Sequence, residues 1–351
     1  MASPSRTLRA FILDIDGCLS KEGIPIPGSK SALQTLHSNQ IPLVVCTNGG
    51  GQLESTRAAK LSQTFHVPIT SDQVILSHTP LRTEVVPRLK EDRVLIVGEN
   101  CAEVARGYGL TKAEGIREYC RRHPTLFPRR READDTNLIV DDSDDPVKAI
   151  LFFEDPEDLG EALQLMMDVL LTNGNPSGPR VLLNGEVKQE VEVWFTNPDL
   201  VYSGLAQHPR LTQGSYRLCL EALIQSATAA AGCTTSHYSL HSTADDLQSA
   251  SNVGRRLQAA TVGKPTRLTG KTAVSKLLQQ CDATTTEEDL EIWTVGDNPY
   301  SDVALANNMG WSSALVRTGI WDGDVSLLNG SARPTRVVDS FGALLQELNI
   351  T

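Results

Sequence analysis

The chain has 351 residues, enough to bury a sizeable core and more than one ordinary domain. With 40% hydrophobic and 21% charged residues it reads as a globular chain, and no apolar run approaches the length of a membrane span. The formal charge of −11 repels nucleic acid and anionic lipid, which favours a small-molecule partner and leaves room for no more than a local basic pocket.

The seven cysteines form no CxxC pair, and Cys46, Cys101 and Cys219 sit in apolar-periodic stretches, as expected in a reducing compartment. The opening "MASPSRTLRA" carries two arginines and no acid, but a core strand follows at once with no apolar h-region. The expectation is a cytoplasmic protein.

In chain order, the pattern predicts a strand over 8–13, a helix over 29–39, a strand over 41–46 and a helix over 53–65. Such alternation implies a parallel sheet covered by helices, with ligands beyond the carboxyl ends of its strands. From about Pro80 come the strand "RVLIVG", a charged stretch over 114–145, the strand "VKAILFF", the helix "PEDLGEALQLMMDVLL" and the strand "EVEVWF", a second α/β unit. Within it, 121–145 runs from basic to acidic, includes Arg129–Arg131 and reads as a solvated loop, and the Ser/Thr/Ala-rich stretch 227–251 reads as an insertion. Alternation returns after "TVGKP": a helix over 271–281, the strand "EIWTV", a helix over 301–309, the strand "SSALV" and a terminal helix over 341–348. The expected organisation is a doubly wound, Rossmann-like α/β core split into 1–79 and 262–351, with an inserted cap over 80–261.

Chemistry concentrates at the strand ends. In "FILDIDGCLS", Asp14 and Asp16 share one side of an extended chain, and Gly17 permits a tight turn. A lone DxD is ordinarily a pair of capping or turn carboxylates. Here the pair ends a buried run, and two carboxylates this close need a cation or a shared proton. Mg²⁺, a hard ion that takes oxygen ligands, suits the place.

At "VVCTNGGG", Thr47, Asn48 and the glycines from Gly49 onward offer a hydroxyl and backbone N–H groups, a cradle for a phosphate-sized anion; a flexible turn is the plain alternative. "VGKP" supplies Lys264 where the chain re-enters the core. The nearby "TGKT" is no P-loop, because Pro265 stands where that pattern needs its first glycine. "EIWTVGDNPYSDVALANNMG" ends a strand in Asp297 and starts a helix near Asp302, two further carboxylates whose usual roles are turn and cap.

"DIDGCL", "CTNGGG", "GKP" and "GDNPYSD" in this order resemble the four motifs of the haloacid dehalogenase-like hydrolases. "AILFFEDPEDLGEALQLMMDVLL", "FTNPDL" and "GSYRLCLEALI" resemble the C2-type cap of subclass IIA, and "DQVILSHTPL" with "VGDNPYSDVALAN" resembles the subgroup of the cat eye syndrome critical region protein. The resemblance implies a Mg²⁺-dependent phosphatase for a small phosphorylated metabolite. Asp14 would be the nucleophile that becomes an aspartyl phosphate, and Asp16 the general acid and base. Thr47, Asn48, Gly49 and Lys264 would hold the phosphate. Asp14, the Asp16 carbonyl and Asp297 would surround the metal, with Asp302 a second ligand or an orienter.

The resemblance also implies a cap that closes over the site, allows association of two copies through the caps, and brings a mitochondrial location as the alternative to a cytoplasmic one. Gly49 and Gly50 depart from the Asn-Ser common in subclass IIA and remove a side-chain contact to phosphate. The competing function is a catalytically weak or silent binding protein on the same fold. A dehalogenase is disfavoured because it has no use for Asp16, Asp297 and Asp302.

Overall fold

The computed structural model describes residues 7–127, 145–179, 189–202, 204–229 and 256–351. The Arg129–Arg131 cluster and most of the Ser/Thr/Ala-rich stretch lie outside the described residues. Two compact units are formed. Unit 1 comprises Met1–Leu81, Asn197–Thr212 and Val262–Thr351, and unit 2 comprises Arg82–Thr196 and Gln213–Thr261.

The strands, in chain order, are β1 (Leu8–Leu13), β2 (Ser20–Lys21), β3 (Ile24–Pro25), β4 (Leu43–Cys46), β5 (Val74–Ile75), β6 (Arg93–Val97), β7 (Lys112–Gly115) and β8 (Val147–Phe152). They continue with β9 (Glu192–Phe195), β10 (Val201–Tyr202), β11 (Arg210–Leu211), β12 (Ala260–Thr261), β13 (Leu290–Gly296), β14 (Ser312–Val316) and β15 (Arg336–Val338).

Unit 1 is built on a six-stranded sheet in the order β15-β14-β13-β1-β4-β5, every pairing parallel. Chain order therefore reverses between β1 and β13, which is where an open α/β sheet leaves a crevice beyond its carboxyl ends. The two strands run in register from Leu8 opposite Leu290 to Leu13 opposite Val295, so the segments that follow them emerge side by side.

From Ala10 to Leu13, β1 reads as an unbroken apolar run because both faces are covered. Phe11 and Leu13 pack with Leu33 and Leu36 of the helix Ser29–Ser38 and with Phe341 and Leu344 of the helix Phe341–Glu347. Ala10 and Ile12 pack with Ala273, Val274 and Leu277 of the helix Arg267–Leu278. Each buried Phe or Leu contributes about 1.5–3 kcal/mol, which fixes the strand that carries the first two acids.

The helix Arg267–Leu278 starts four residues before the predicted 271, because the Thr266 hydroxyl accepts the Thr269 N–H and caps it. That start fixes the chain just after Lys264 and puts "TGKT" inside a helix, so the P-loop pattern is excluded by geometry as well as by sequence.

Unit 2 is a five-stranded parallel sheet in the order β12-β9-β8-β6-β7. Its core gathers Leu95, Ile150, Phe152 and Phe195 with Leu165 and Met166 of the helix Leu159–Leu171, and the Phe152 and Phe195 rings stack at 4.2 Å. The charged stretch beginning at 114 hides β7 and the helix Ile116–Arg122. Glu114 is buried there between Arg93 Nη2 at 2.9 Å and Arg122 Nε at 2.6 Å. Charge that is paired internally leaves the composition of a loop on a piece of core.

Candidate active site

Past Leu13 the ladder continues for one bond, with the Asp14 N–H donating to the Val295 carbonyl at 2.9 Å. The chain then turns, and the N–H groups of Leu19 and Ser20 both donate to the Ile15 carbonyl. Ile15 joins the core of Phe11 and Leu13, so Asp14 points away from that core. Gly17 is required twice over. Its φ of +87° is left-handed, and a Cβ there would stand 2.2 Å from Asp297 Oδ2.

Asp297 follows β13 and its Oδ2 accepts the Ile320 N–H at 2.6 Å. The π-type turn Pro299–Val303, capped by Asn298, swings Asp302 back beneath Gly296, where a Cβ would meet Asp302 Cγ at 2.1 Å. Asp302 Oδ2 accepts the Asn298 N–H, and its Oδ1 accepts Lys264 Nζ at 2.6 Å. The same ammonium donates to Asp14 Oδ1 at 2.6 Å.

Asp14, Asp297 and Asp302 thus converge, all buried, with one oxygen from each lying within 4.8 Å of the others. Three carboxylates face one ammonium. Burial pushes the Asp14 carboxyl well above the ordinary carboxylate range; Lys264 opposes this, and Asp302 and Asp297 add to it. Burial, then Asp302, pushes Asp297 up to about 7. Burial disfavours the Lys264 ammonium, but Asp14 and Asp302 outweigh it and hold the group well above its usual value. An all-oxygen donor set with negative charge left over fits a hard divalent cation.

The Asp16 carboxylate lies outside that trio and is less enclosed, and burial raises its affinity for a proton while Arg57 opposes. Arg57, on the helix Glu54–Phe65, was not among the predicted site residues. Its Nη2 lies 3.9 Å from where a Cβ on Gly49 would stand, and its Nε is buried without a hydrogen-bond partner. A lone arginine inside a helical pattern carries no motif, and only the fold returns it to the glycine loop.

That loop is held from several directions. The Thr47 hydroxyl accepts the Gly49 N–H at 3.0 Å, and the Gly49 carbonyl accepts the Ser77 N–H at 3.1 Å. Asn48 Oδ1 accepts the Lys264 N–H at 2.7 Å, while its Nδ2 donates to the Lys264 carbonyl at 3.0 Å and to Asp199 Oδ2 at 2.9 Å. Asp199 belongs to "FTNPDL", the stretch that resembles part of a C2-type cap; burial pushes its carboxyl up to about 6. Cys18 is a packed small side chain whose thiol reaches the Val295 carbonyl.

The fold and the acid cluster together define a Rossmann-like α/β protein that gathers acids at the crossover of its sheet. Residues 11–111 match the haloacid dehalogenase-like hydrolase family, and residues 261–344 match a second, related hydrolase-like family. The chain is 30% identical over 366 residues to the mitochondrial hydrolase YKR070W of Saccharomyces cerevisiae, covering 97% of this chain and 95% of that one. It is 31% identical over 319 residues to a Schizosaccharomyces pombe fusion of cardiolipin synthase (CMP-forming) and a mitochondrial hydrolase, covering 89% of this chain and 48% of the fusion, so it spans about half of that relative. A 4-nitrophenylphosphatase from Thermotoga maritima shares the fold, with a TM-score of 0.60 at 19% identity over 97% of each chain.

The chain belongs to the haloacid dehalogenase-like hydrolases. The cytoplasmic expectation is overturned, since the Saccharomyces cerevisiae relative and the hydrolase part of the Schizosaccharomyces pombe fusion are mitochondrial hydrolases. It had rested on the cysteine pattern, on the lack of an apolar h-region and on an early core strand that leaves little room for a transit peptide.

Proposed function

We propose that the chain is a Mg²⁺-dependent phosphatase for a small phosphorylated metabolite, that unit 2 is a cap of the C2 type of subclass IIA, and that the protein works in mitochondria. The observation that carries the phosphatase reading is the shared contact of Lys264 Nζ with Asp14 and Asp302, 2.6 Å from each, beside Asp297. Asp14, Asp297, Asp302 and the Asp16 carbonyl would hold Mg²⁺, which supplies charge to offset the phosphoryl oxygens.

In the first step an Asp14 oxygen attacks phosphorus, the ester P–O bond breaks, and Asp16 gives its proton to the leaving oxygen. In the second, Asp16 takes a proton from water, the hydroxide oxygen bonds to phosphorus, and the bond to Asp14 breaks. The burial that raises the proton affinity of Asp16 makes it readier to hold that proton for the leaving oxygen. Thr47 and the backbone N–H groups of the loop from Asn48 to Gly49 would meet the phosphoryl oxygens. Lys264 would hold Asp14 and neutralise the charge it shares with the phosphate.

One observation favours the competing reading of a weak or silent binding protein: Gly49 and Gly50 bring no side chain to the cradle. The deciding experiment is phosphate release from p-nitrophenyl phosphate and a panel of phosphorylated metabolites, with Mg²⁺ or EDTA, for wild type and Asp14→Asn. Release that requires both Mg²⁺ and Asp14 supports the phosphatase. Folded, Mg²⁺-binding protein that turns over none of the esters supports the binding protein.

A further inference from the structure

We propose that Asp199 is a positioning residue of the phosphate site, a carboxylate that orients Asn48 and Asn298 at once and thereby fixes the loop that presents Lys264. The proposal rests on the phosphatase reading for what the site binds; the contacts themselves do not depend on it.

Asn48 and Lys264 exchange two hydrogen bonds, the Lys264 N–H to Oδ1 and Nδ2 to the Lys264 carbonyl. This pairing determines which end of the amide carries oxygen, and it leaves one N–H of Nδ2 to be satisfied. Asp199 Oδ2 takes it at 2.9 Å. The other oxygen, Oδ1, accepts Asn298 Nδ2 at 3.3 Å. Asn298 in turn gives its backbone N–H to Asp302 Oδ2 and receives the Tyr300 N–H on its own Oδ1. One carboxylate therefore joins the loop after β4, the loop bearing Lys264 and the loop after β13.

The chain around Asp199 is shaped to deliver it. Asn197 Oδ1 accepts the Asp199 N–H at 2.8 Å, an Asx-type turn, and Asn197 Nδ2 donates to Thr212 Oγ1 at 3.1 Å. β10 and β11 then pair antiparallel, with Val201 opposite Leu211. The segment Asn197–Thr212 groups with unit 1 although the chain on both sides of it belongs to unit 2. A turn needs no carboxylate two residues past its asparagine. A group that must accept from two amide NH₂ donors does, since a carboxylate has no donor and accepts on both oxygens.

Asp199→Asn separates the two roles, because it keeps shape and volume but turns one oxygen into an NH₂ that faces another NH₂. The expected result in saturating Mg²⁺ is a fall in kcat for p-nitrophenyl phosphate of about 10- to 100-fold, the range seen when groups that support a site's direct ligands are lost. KM should change by less than about threefold, inhibition by orthovanadate should weaken with kcat, and Asp199→Glu should recover part of the loss. A purely structural turn predicts lower thermal stability with kcat unchanged, and that outcome overturns the proposal. Should wild type hydrolyse no ester, the phosphatase reading fails separately, and proton exchange of the Asn48 side-chain NH₂ decides the matter. Exchange that quickens in Asp199→Asn supports the clamp, and unchanged exchange overturns it.

Discussion

Lys264 Nζ lies 2.6 Å from Asp14 Oδ1 and 2.6 Å from Asp302 Oδ1, and all three side chains are buried. Removing one partner of a buried ion pair leaves uncompensated charge, at a cost of about 3–5 kcal/mol. Lys264→Met should therefore unfold at a clearly lower temperature in EDTA, and Mg²⁺ should restore much of the loss by taking over the three carboxylates. Turnover should fall by at least about 100-fold even with metal present, since a charge-stabilising donor is gone. Thermal unfolding with and without Mg²⁺ checks the first part, and an unchanged midpoint in EDTA would count against the charge balance described above.

Gly17 and Gly23 offer a matched pair. Both have left-handed backbone, with φ of +87° and +81°, but a Cβ on Gly17 would meet Asp297 Oδ2 at 2.2 Å whereas a Cβ on Gly23 has nothing within 4 Å. Either alanine variant should lose about 1–2 kcal/mol to backbone strain. Only Gly17→Ala should also weaken divalent-cation binding, by displacing an acid of the cluster. Mg²⁺ titration calorimetry on the two variants isolates that effect, and equal affinities would mean that Asp297 tolerates the displacement.

The sequence announced the acids because they stand at the ends of apolar strands, and β1, β4, β13 and β14 were legible for the same reason: burial on both faces leaves each strand mostly apolar. The two-residue strand β5 and the three-residue strand β15 were not legible, because so short a run carries no period. Asp199 and Arg57 were missed for a different reason. Asp199 lies 151 residues from the Asn48 it serves, and Arg57, though near the glycine loop in the chain, sits in a pattern whose local meaning is a helix face. The roles of Asn48 and Lys264 toward each other join positions 216 residues apart, which only the parallel topology brings together.

Burial raises the proton affinity of Asp16, and Arg57 is the charge that most opposes it. Arg57→Gln removes this opposition, so the Asp16 carboxyl should hold its proton to higher pH. The limb of the pH–rate profile set by Asp16 should then move upward, while the Mg²⁺ requirement stays. A limb that does not move would show that solvent or bound substrate screens the guanidinium from Asp16. Gly49→Ala is the companion variant. Gly49 is not left-handed, and a Cβ there would sit at an ordinary 3.4 Å from Thr47 Oγ1, so the variant should fold and gain about 0.4–1 kcal/mol through the unfolded chain.

His78 is fully buried, and burial pushes its imidazole down to about 4, against the opposing charge of Glu54 and a backbone contact with Gln52. In the unfolded chain the same group titrates near its ordinary value of 6.5. Above that pH both states are neutral at His78 and stability is unaffected. Between about 6.5 and 4 the unfolded chain takes up a proton that the folded chain refuses, so stability is lost as pH falls, by roughly 3 kcal/mol in all. The site carboxyls work in the opposite direction: Asp297 at about 7 and Asp199 at about 6 bind protons more readily folded than unfolded. The two trends are separated by comparing wild type with His78→Gln, in which the carboxyl contribution cancels. The difference in unfolding free energy between the two, followed by urea denaturation, should shift by roughly 3 kcal/mol in favour of the variant from pH 7 to pH 4. A difference that stays flat across that range would mean that His78 is protonated within the fold.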